Sequence, residues 1–437
     1  MLLGKIRVKK WAMVLILCCL SCRSIDCQKA SQRRSAEQNA SPDSAVTVAS
    51  QRFTPAKITD EGLLLSTRDA SSNMLIHGYM QADGRFFMAN MTDCRQAVLL
   101  FRRLRPLAEG RLANFIDYRF MPDFGEGKSV IQEAYVEWRS IPYVRLRVGK
   151  FKAPLGLEVL RSDRDLTFVE RSMASDLIPL RELGAQVEGS LRKGTVTYAM
   201  GFFNGTEDGD NANFEWHGSM SGVARVFLHP FAATRRPSLK PLGVGLAASV
   251  GHNHGAPARF NTIGQETFFQ YNQGVVADGQ HRRLSPQASY YYGPIGVLAE
   301  YISSGGTLAS GSSYRYLSHR GWEVAGSVFL TGEKNVYEDF RPAHALGQDV
   351  DCRHWGALEL AVRHSDLRLD ANAFPMYANA ASSARAASES AFGINWHLNR
   401  RTKLMLDCER TEFRMATDFV PRLHAEHVAM TEIQFAL

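Results

Sequence analysis

The chain has 437 residues, 45% hydrophobic and 22% charged, with 35 glycines and an aromatic share of 10% spread along its length. Its formal charge is +7, but residues 1–27 hold Lys5, Arg7, Lys9, Lys10 and Arg23 against Asp26, so the remainder carries only about +3. That small surplus gives no case for a nucleic-acid partner, and Cys94, Cys352 and Cys408, the cysteines beyond residue 27, allow one disulfide but no disulfide framework or Cys-x-x-Cys metal site.

Residues 1–27 read as an export signal, with a basic start, an apolar run from Trp11 to Leu20 and small polar residues after it. That run is too short to cross a bilayer as a helix. Residues 28–73 are polar and rich in Ser, Ala, Gln and Arg. Such a stretch buries too little surface to offset its ordering entropy, so a flexible periplasmic lead-in is expected.

From residue 74 to 437 the pattern is period two. Ala134, Val136 and Trp138 alternate with Glu133, Tyr135 and Glu137, and Val144, Leu146 and Val148 with Arg145, Arg147 and Gly149. Residues 111–120, 196–202, 244–250, 358–363 and 392–398 behave alike. One face is apolar and the other small, polar or charged, over segments long enough for a tilted strand to cross hydrocarbon. Phe86 and Phe87, Phe120, Trp138 with Tyr143, Phe202 and Phe203, Trp322 and Trp355 read as strand-end aromatics, as in interfacial girdles. Short turns are expected at 140–142, 192–194 and 399–401, and long polar loops at 204–217, 252–264, 303–319 and 331–354. The expectation is an all-β, transmembrane, antiparallel up-and-down β-barrel of about sixteen strands, wide enough for an aqueous channel. Closure leaves no strand edge bare in lipid.

Strand parity turns Arg119, Arg145, Arg147, Arg225 and Arg363 into the lumen and puts Arg103 and Arg105 on one face of 97–105. Arginine forks could bind anions in a track through the pore. The competing reading pairs them with Glu133, Glu137, Asp117 or Glu359 on neighbouring strands. His252 and His254 lack a visible third ligand and read as a surface loop rather than a metal site. Nucleophile-elbow, phosphate-loop and dinucleotide signatures are missing, so neither an enzyme nor a cofactor is expected. An outer-membrane barrel hydrolase would need a Ser–His pair on the lipid-facing rim, where parity places Val, Leu and Phe. A soluble β-rich binding protein would differ from a barrel in not entering detergent micelles.

The run Val-Arg-Leu-Arg-Val-Gly-Lys-Phe-Lys-Ala-Pro-Leu-Gly-Leu-Glu at 144–158, with Asp-Leu-Thr-Phe-Val-Glu-Arg-Ser-Met at 165–173, Pro-Leu-Arg-Glu-Leu-Gly at 179–184, Tyr-Ala-Met-Gly-Phe-Phe-Asn-Gly at 198–205 and Trp-Gly-Ala-Leu-Glu-Leu-Ala-Val-Arg at 355–363, resembles the phosphate-selective porin O and P family of Gram-negative outer membranes. The likeness runs over about residues 75–435. It implies a sixteen-stranded barrel, usually a homotrimer, with a loop at about 153–182 folded inward as a constriction. In some members lumen arginines and lysines select phosphate or pyrophosphate. This loop carries Arg161, Arg164, Arg171 and Arg181 against Glu158, Asp163, Asp165, Glu170, Asp176 and Glu182, and so focuses no net positive charge. Arg171 either lines the constriction or, with Glu170, pins the loop to the wall. The expected function is passive diffusion of small solutes through an outer-membrane pore. Inorganic anions such as phosphate are the candidate solutes, and a non-selective or carbohydrate-type porin is the alternative.

Overall fold

A strand with one apolar and one polar face is stable in a bilayer only if its neighbours close around water and leave no edge unpaired. The structure, a computed structural model, describes residues 54, 56–90, 93–211, 218–347, 354–416 and 425–437; the expected export signal lies outside them. In chain order the strands are β1 (Lys57–Thr59), β2 (Gly62–Ser66), β3 (Asn73–Asn90), β4 (Asp93–Leu112), β5 (Ile116–Asp123), β6 (Val130–Ile141), β7 (Val144–Phe151), β8 (Glu182–Leu191), β9 (Val196–Phe203) and β10 (Met220–Leu228). They continue as β11 (Gly243–Gly255), β12 (Phe260–Asn261), β13 (Thr267–Phe269), β14 (Val275–Tyr292), β15 (Ile295–Ser310), β16 (Ser313–Phe329), β17 (Ala357–Arg368), β18 (Ala384–His397), β19 (Thr402–Met415) and β20 (Glu426–Ala436). Strands β3–β11 and β14–β20 pair antiparallel in sequence order, and β20 returns to β3 with Phe435 opposite Met80. The result is a closed barrel of sixteen strands.

Parity sorts the wall as expected of a membrane barrel. Val136, Leu146, Met200 and Val362 are exposed on the outside, while Glu137, Gln186, Glu300 and Glu389 alternate with outward residues and are buried inside. The first and last barrel strands begin and end at the same rim as the short links at 142–143, 192–195 and 293–294, which marks that rim as periplasmic.

Several expectations are corrected. The span 111–120 is not one strand: Ala113 and Asn114 take φ of 50° and 67°, and the chain reverses so that Arg111 faces Asp117. Residues 303–319 form the hairpin of β15 and β16, turning at Gly311; their small and polar residues line a wall rather than a loop. The long link at 330–356 leaves from the periplasmic rim, on the same side as the short turns. Trp322 sits near the middle of the 17-residue β16, whereas Phe86 and Phe87 lie four and three residues from the end of the 18-residue β3. His252 and His254 belong to β11, where His254 Nδ1 is 2.7 Å from Asp278.

The stretch read as lead-in contains the β1–β2 hairpin. Leu63–Ser66 of β2 pair with Asn73–Ile76 of β3, just beyond the point where β20 stops at Tyr79. Composition weighed this segment by its burial alone, whereas the free edge of β3 supplies backbone partners that need no core.

The interior is partly filled. Leu155, Val159, Val169, Met173, Leu177 and Ile178, from the β7–β8 connection, pack with Phe260, Ile263, Phe268 and Phe269 of the β11–β14 connection. Gly149 of β7 has φ of +134°, and an added Cβ would lie 2.2 Å from the Ala134 carbonyl oxygen. Gly149→Val is expected to destabilise the barrel by about 3 kcal/mol. Folded protein, read as the fast-migrating band of unheated gel samples, should fall accordingly.

Candidate functional site

The connection from β7 to β8 cannot form regular ladders, yet its backbone groups still need partners inside the barrel. Side chains of the far wall supply them. The amides of Leu157 and Glu158 donate to Glu300 on β15 at 2.8 and 3.3 Å. The amide of Val169 donates to Asp407 on β19 at 2.6 Å. Asn395 Nδ2 of β18 donates to the Thr167 carbonyl at 2.8 Å, and Lys403 Nζ of β19 donates to those of Arg164 and Leu166 at 3.1 and 3.0 Å. A segment that begins at β7 and reaches β15, β18 and β19 crosses the lumen.

Two arginine clusters meet the segment, each closed on one of its carboxylates. Glu170 lies 2.7 Å from Arg85, 2.5 Å from Arg102 and 3.5 Å from Arg103. Asp163 pairs with Arg105, with Arg171 at 2.6 Å and with Arg181 at 3.3 Å. Burial opposes ionisation of both, but Arg102, Arg103 and Arg85 hold Glu170 down at about 2. Arg171, Arg105 and Lys152 likewise keep Asp163 well below the usual carboxylate range.

The other candidate residues are placed as follows. Arg119 pairs with Glu109 and Glu133 at 2.6 and 3.2 Å. Arg145 and Arg147 both bridge Glu137 and Glu188, and Arg147 also lies 4.7 Å over the Tyr135 ring. These are cross-strand ladders. Arg225 donates to Gln287 at 2.9 Å and sits 4.9 Å from the Phe227 ring. Arg161 donates to Thr167 Oγ1 at 2.7 Å. Among the described residues Arg161, Arg164 and Arg225 have no carboxylate in ion-pair range. Arg363 is buried between Glu389 at 2.9 Å and Glu409 at 3.4 Å, and donates to the Glu170 carbonyl at 2.8 Å. Glu170 therefore ties the segment to the wall, whereas Arg171 closes on Asp163 within the segment.

Sequence reasoning did not single out Arg85, Arg102 or Asp163. Arg85 was recoverable, since it alternates inward with Asp83 and Gln81. Arg102 was not, because a register shift between Gln81 and Ala82 leaves it out of the β3–β4 ladder and breaks parity there.

Arg102, Arg103, Arg105, Glu170, Arg171 and Arg181 line a cavity of about 670 Å³ open toward the long-loop rim. A second cavity, of about 280 Å³, is lined by Arg161, Arg164, Lys403 and Arg400 on the periplasmic side. The periplasmic link at 330–356 reaches this lower space: Tyr337 donates to the Leu157 carbonyl at 2.5 Å, and Glu338 accepts from the Ser162 amide at 2.9 Å. Residues 162–166 lie between the two cavities.

The structure corrects one further expectation. The outer wall does hold a Ser–His pair, His364 Nδ1 lying 2.9 Å from Ser390 Oγ, with the Trp322 ring 5.3 Å from the imidazole. Among the described residues no carboxylate is in ion-pair range of His364, so the orienting acid of a nucleophilic triad is missing there. No group of three or more metal-ligating side chains occurs among the described residues. Cys408 carries a free, exposed thiol.

A family model described as phosphate-selective porin O and P matches residues 76–435. Porin O of Pseudomonas aeruginosa is 23% identical over 405 residues, covering 82% of this chain and 90% of its own. Among solved structures, an anion-selective porin from Comamonas acidovorans superposes with a TM-score of 0.52 at 11% identity, covering 84% of this chain and 100% of that one. The trimer form of OmpT, an outer membrane protein of Vibrio cholerae, gives 0.51 at 8% identity with the same coverage.

A carboxylate with a depressed pKa stabilises the docked state above its ordinary pKa and loses that contribution as pH falls through the folded value. For Glu170 the window runs from 4.5 to about 2. Pepsin should therefore leave residues 160–175 uncut at pH 4.5 and cleave among them near pH 2, with a reference substrate correcting for pepsin activity.

Proposed function

Because the chain belongs to the phosphate-selective porin O and P family and is an outer-membrane porin channel, we propose that its pore passes small solutes with a preference for small anions, phosphate among them. The observation that carries this reading is the convergence of Arg85, Arg102, Arg103, Arg105, Arg171 and Arg181 on the segment between the two cavities. Guanidinium forks bind phosphate oxygens in pairs, and a low-dielectric wall strengthens their field. Asp163 and Glu170 already occupy the two clusters, so a passing anion exchanges with tethered carboxylates and leaves readily. Conduction needs such moderate sites. Below the segment Arg161, Arg164 and Lys403 continue the track.

The same proposal takes residues 153–182 as the constriction, residues 1–27 as the export signal and 28–56 as a periplasmic lead-in. It takes the working form as a homotrimer. Strands β5, β7 and β9 have eight residues each. At about 3.4 Å per residue and a tilt of about 45°, eight residues rise only about 19 Å against an apolar band of about 25 Å. Association with further copies would cover that low side. The channel reading is preferred to a hydrolase because, among the described residues, no carboxylate lies in ion-pair range of His364 to orient the outer Ser–His pair.

Reversal potentials of the purified porin in a planar bilayer under a KCl gradient, with phosphate as a blocker, test this. An anion-selective potential is expected. Asp163→Asn should lower the half-blocking phosphate concentration about tenfold by freeing Arg105, Arg171 and Arg181, and Arg171→Ala should raise it. Absence of charge preference in both wild type and Asp163→Asn would reject the anion reading and leave a general pore.

A further inference from the structure

The outer face of β16–β19 is apolar through its middle, where Val324, Val362 and Phe392 are exposed. Toward the long-loop rim it changes character. Arg320 of β16 stands opposite Arg368 of β17; Arg368 stands opposite Ala386 of β18, and Ala386 opposite Arg414 of β19. All three arginines are exposed, as is Arg410, two outward positions below Arg414 and level with Val324. The inward neighbours Glu323, Glu389 and Glu409 are buried, so these arginines do not belong to the lumen. Arg368 reaches Asp366 at 2.6 Å and Arg410 reaches Glu412 at 2.5 Å. Among the described residues Arg320 and Arg414 have no carboxylate in ion-pair range.

Two arginines directly opposite each other on a sheet repel, and Asp366, paired with Arg368, offsets only part of that repulsion, leaving Arg320 without a described carboxylate partner. Their height supplies the missing charge. Tyr301 and Trp322 face each other one step closer to the membrane middle, where amphipathic rings mark the boundary of hydrocarbon and headgroups. The arginines lie about 7 Å further along the strands, at headgroup level. Arginine on a lipid-facing wall is costly at the midplane and tolerated there.

We infer that this belt binds the phosphate groups of outer-leaflet lipid. Arg320 and Arg368, on strands about 4.8 Å apart, close on one phosphate, and Arg414, two strands on, takes a second. A phosphate-bearing lipid then holds β16–β19 together from outside and neutralises the repulsion. This rests on the barrel's place in the outer membrane and not on the solute the pore prefers.

The probe is lipid A carrying both its phosphates, added to the porin in a neutral detergent, with bound lipid counted by native mass spectrometry. Wild type is expected to retain it, and the triple variant Arg320→Gln, Arg368→Gln, Arg414→Gln to bind about tenfold more weakly. Lipid A stripped of phosphate should bind weakly to both. Unheated gel mobility checks folding of the variant, and if the triple variant does not fold, Arg320→Gln alone should lose binding severalfold. Equal retention by wild type and folded variants, or equal binding of the dephosphorylated lipid, overturns the inference. Inorganic phosphate binding to the lipid-free porin with the same arginine dependence would reassign the belt to free anions and also overturn it.

Discussion

The lumen depends on how an irregular segment is held in the middle of a barrel. Residues 152–181 bring unpaired amides and carbonyls into a space where each must be satisfied. Glu300 and Asp407 accept from its amides, and Asn395 and Lys403 donate to its carbonyls. Because these anchors sit on β15, β18 and β19, the segment is tied across the full width of the lumen. Its path in turn determines where the two cavities lie and which side chains border them.

Charge follows from that path. Around β4–β8 the inward arginines and glutamates face each other strand to strand, as Arg147 does with Glu137, and hold the wall without claiming the pore. Where the segment passes, Asp163 and Glu170 draw arginines from the wall and from the segment itself into two buried clusters. Buried ions are stable only when paired and hydrogen-bonded. The clusters meet that condition with the chain's own carboxylates, and the same condition keeps the arginines poised for an anion of similar geometry.

Much of the wall was legible in the sequence, because period two is a local signal: Val144, Leu146 and Val148 face out wherever β7 lies. Parity also located the inward arginines of β5, β7 and β17. It failed where the backbone leaves the period, at the left-handed residues Ala113 and Asn114 and at the register shift that displaces Arg102. The site was less legible for a different reason. The contacts of Glu170 with Arg85, and of Val169 with Asp407, join residues 85 and 238 positions apart, and no local pattern encodes such pairings. The side from which 330–356 emerges depends likewise on counting every strand before it.

The short hairpin at the start of the barrel bears on the order of assembly. Strand β2 lies a few residues before β3 and can cover the lower edge of β3 as soon as both are made. The upper edge, from Tyr79 to Met88, has its partner in β20; Gln81 and Gln434, which meet across that seam, are 353 residues apart. During synthesis and export that edge stays open longest, and an open edge is where strands of other molecules add. The hairpin shortens the stretch at risk, and its Glu61, 2.5 Å from Arg400 in the turn that leads into β19, places a contact beside the seam where the last strand must arrive.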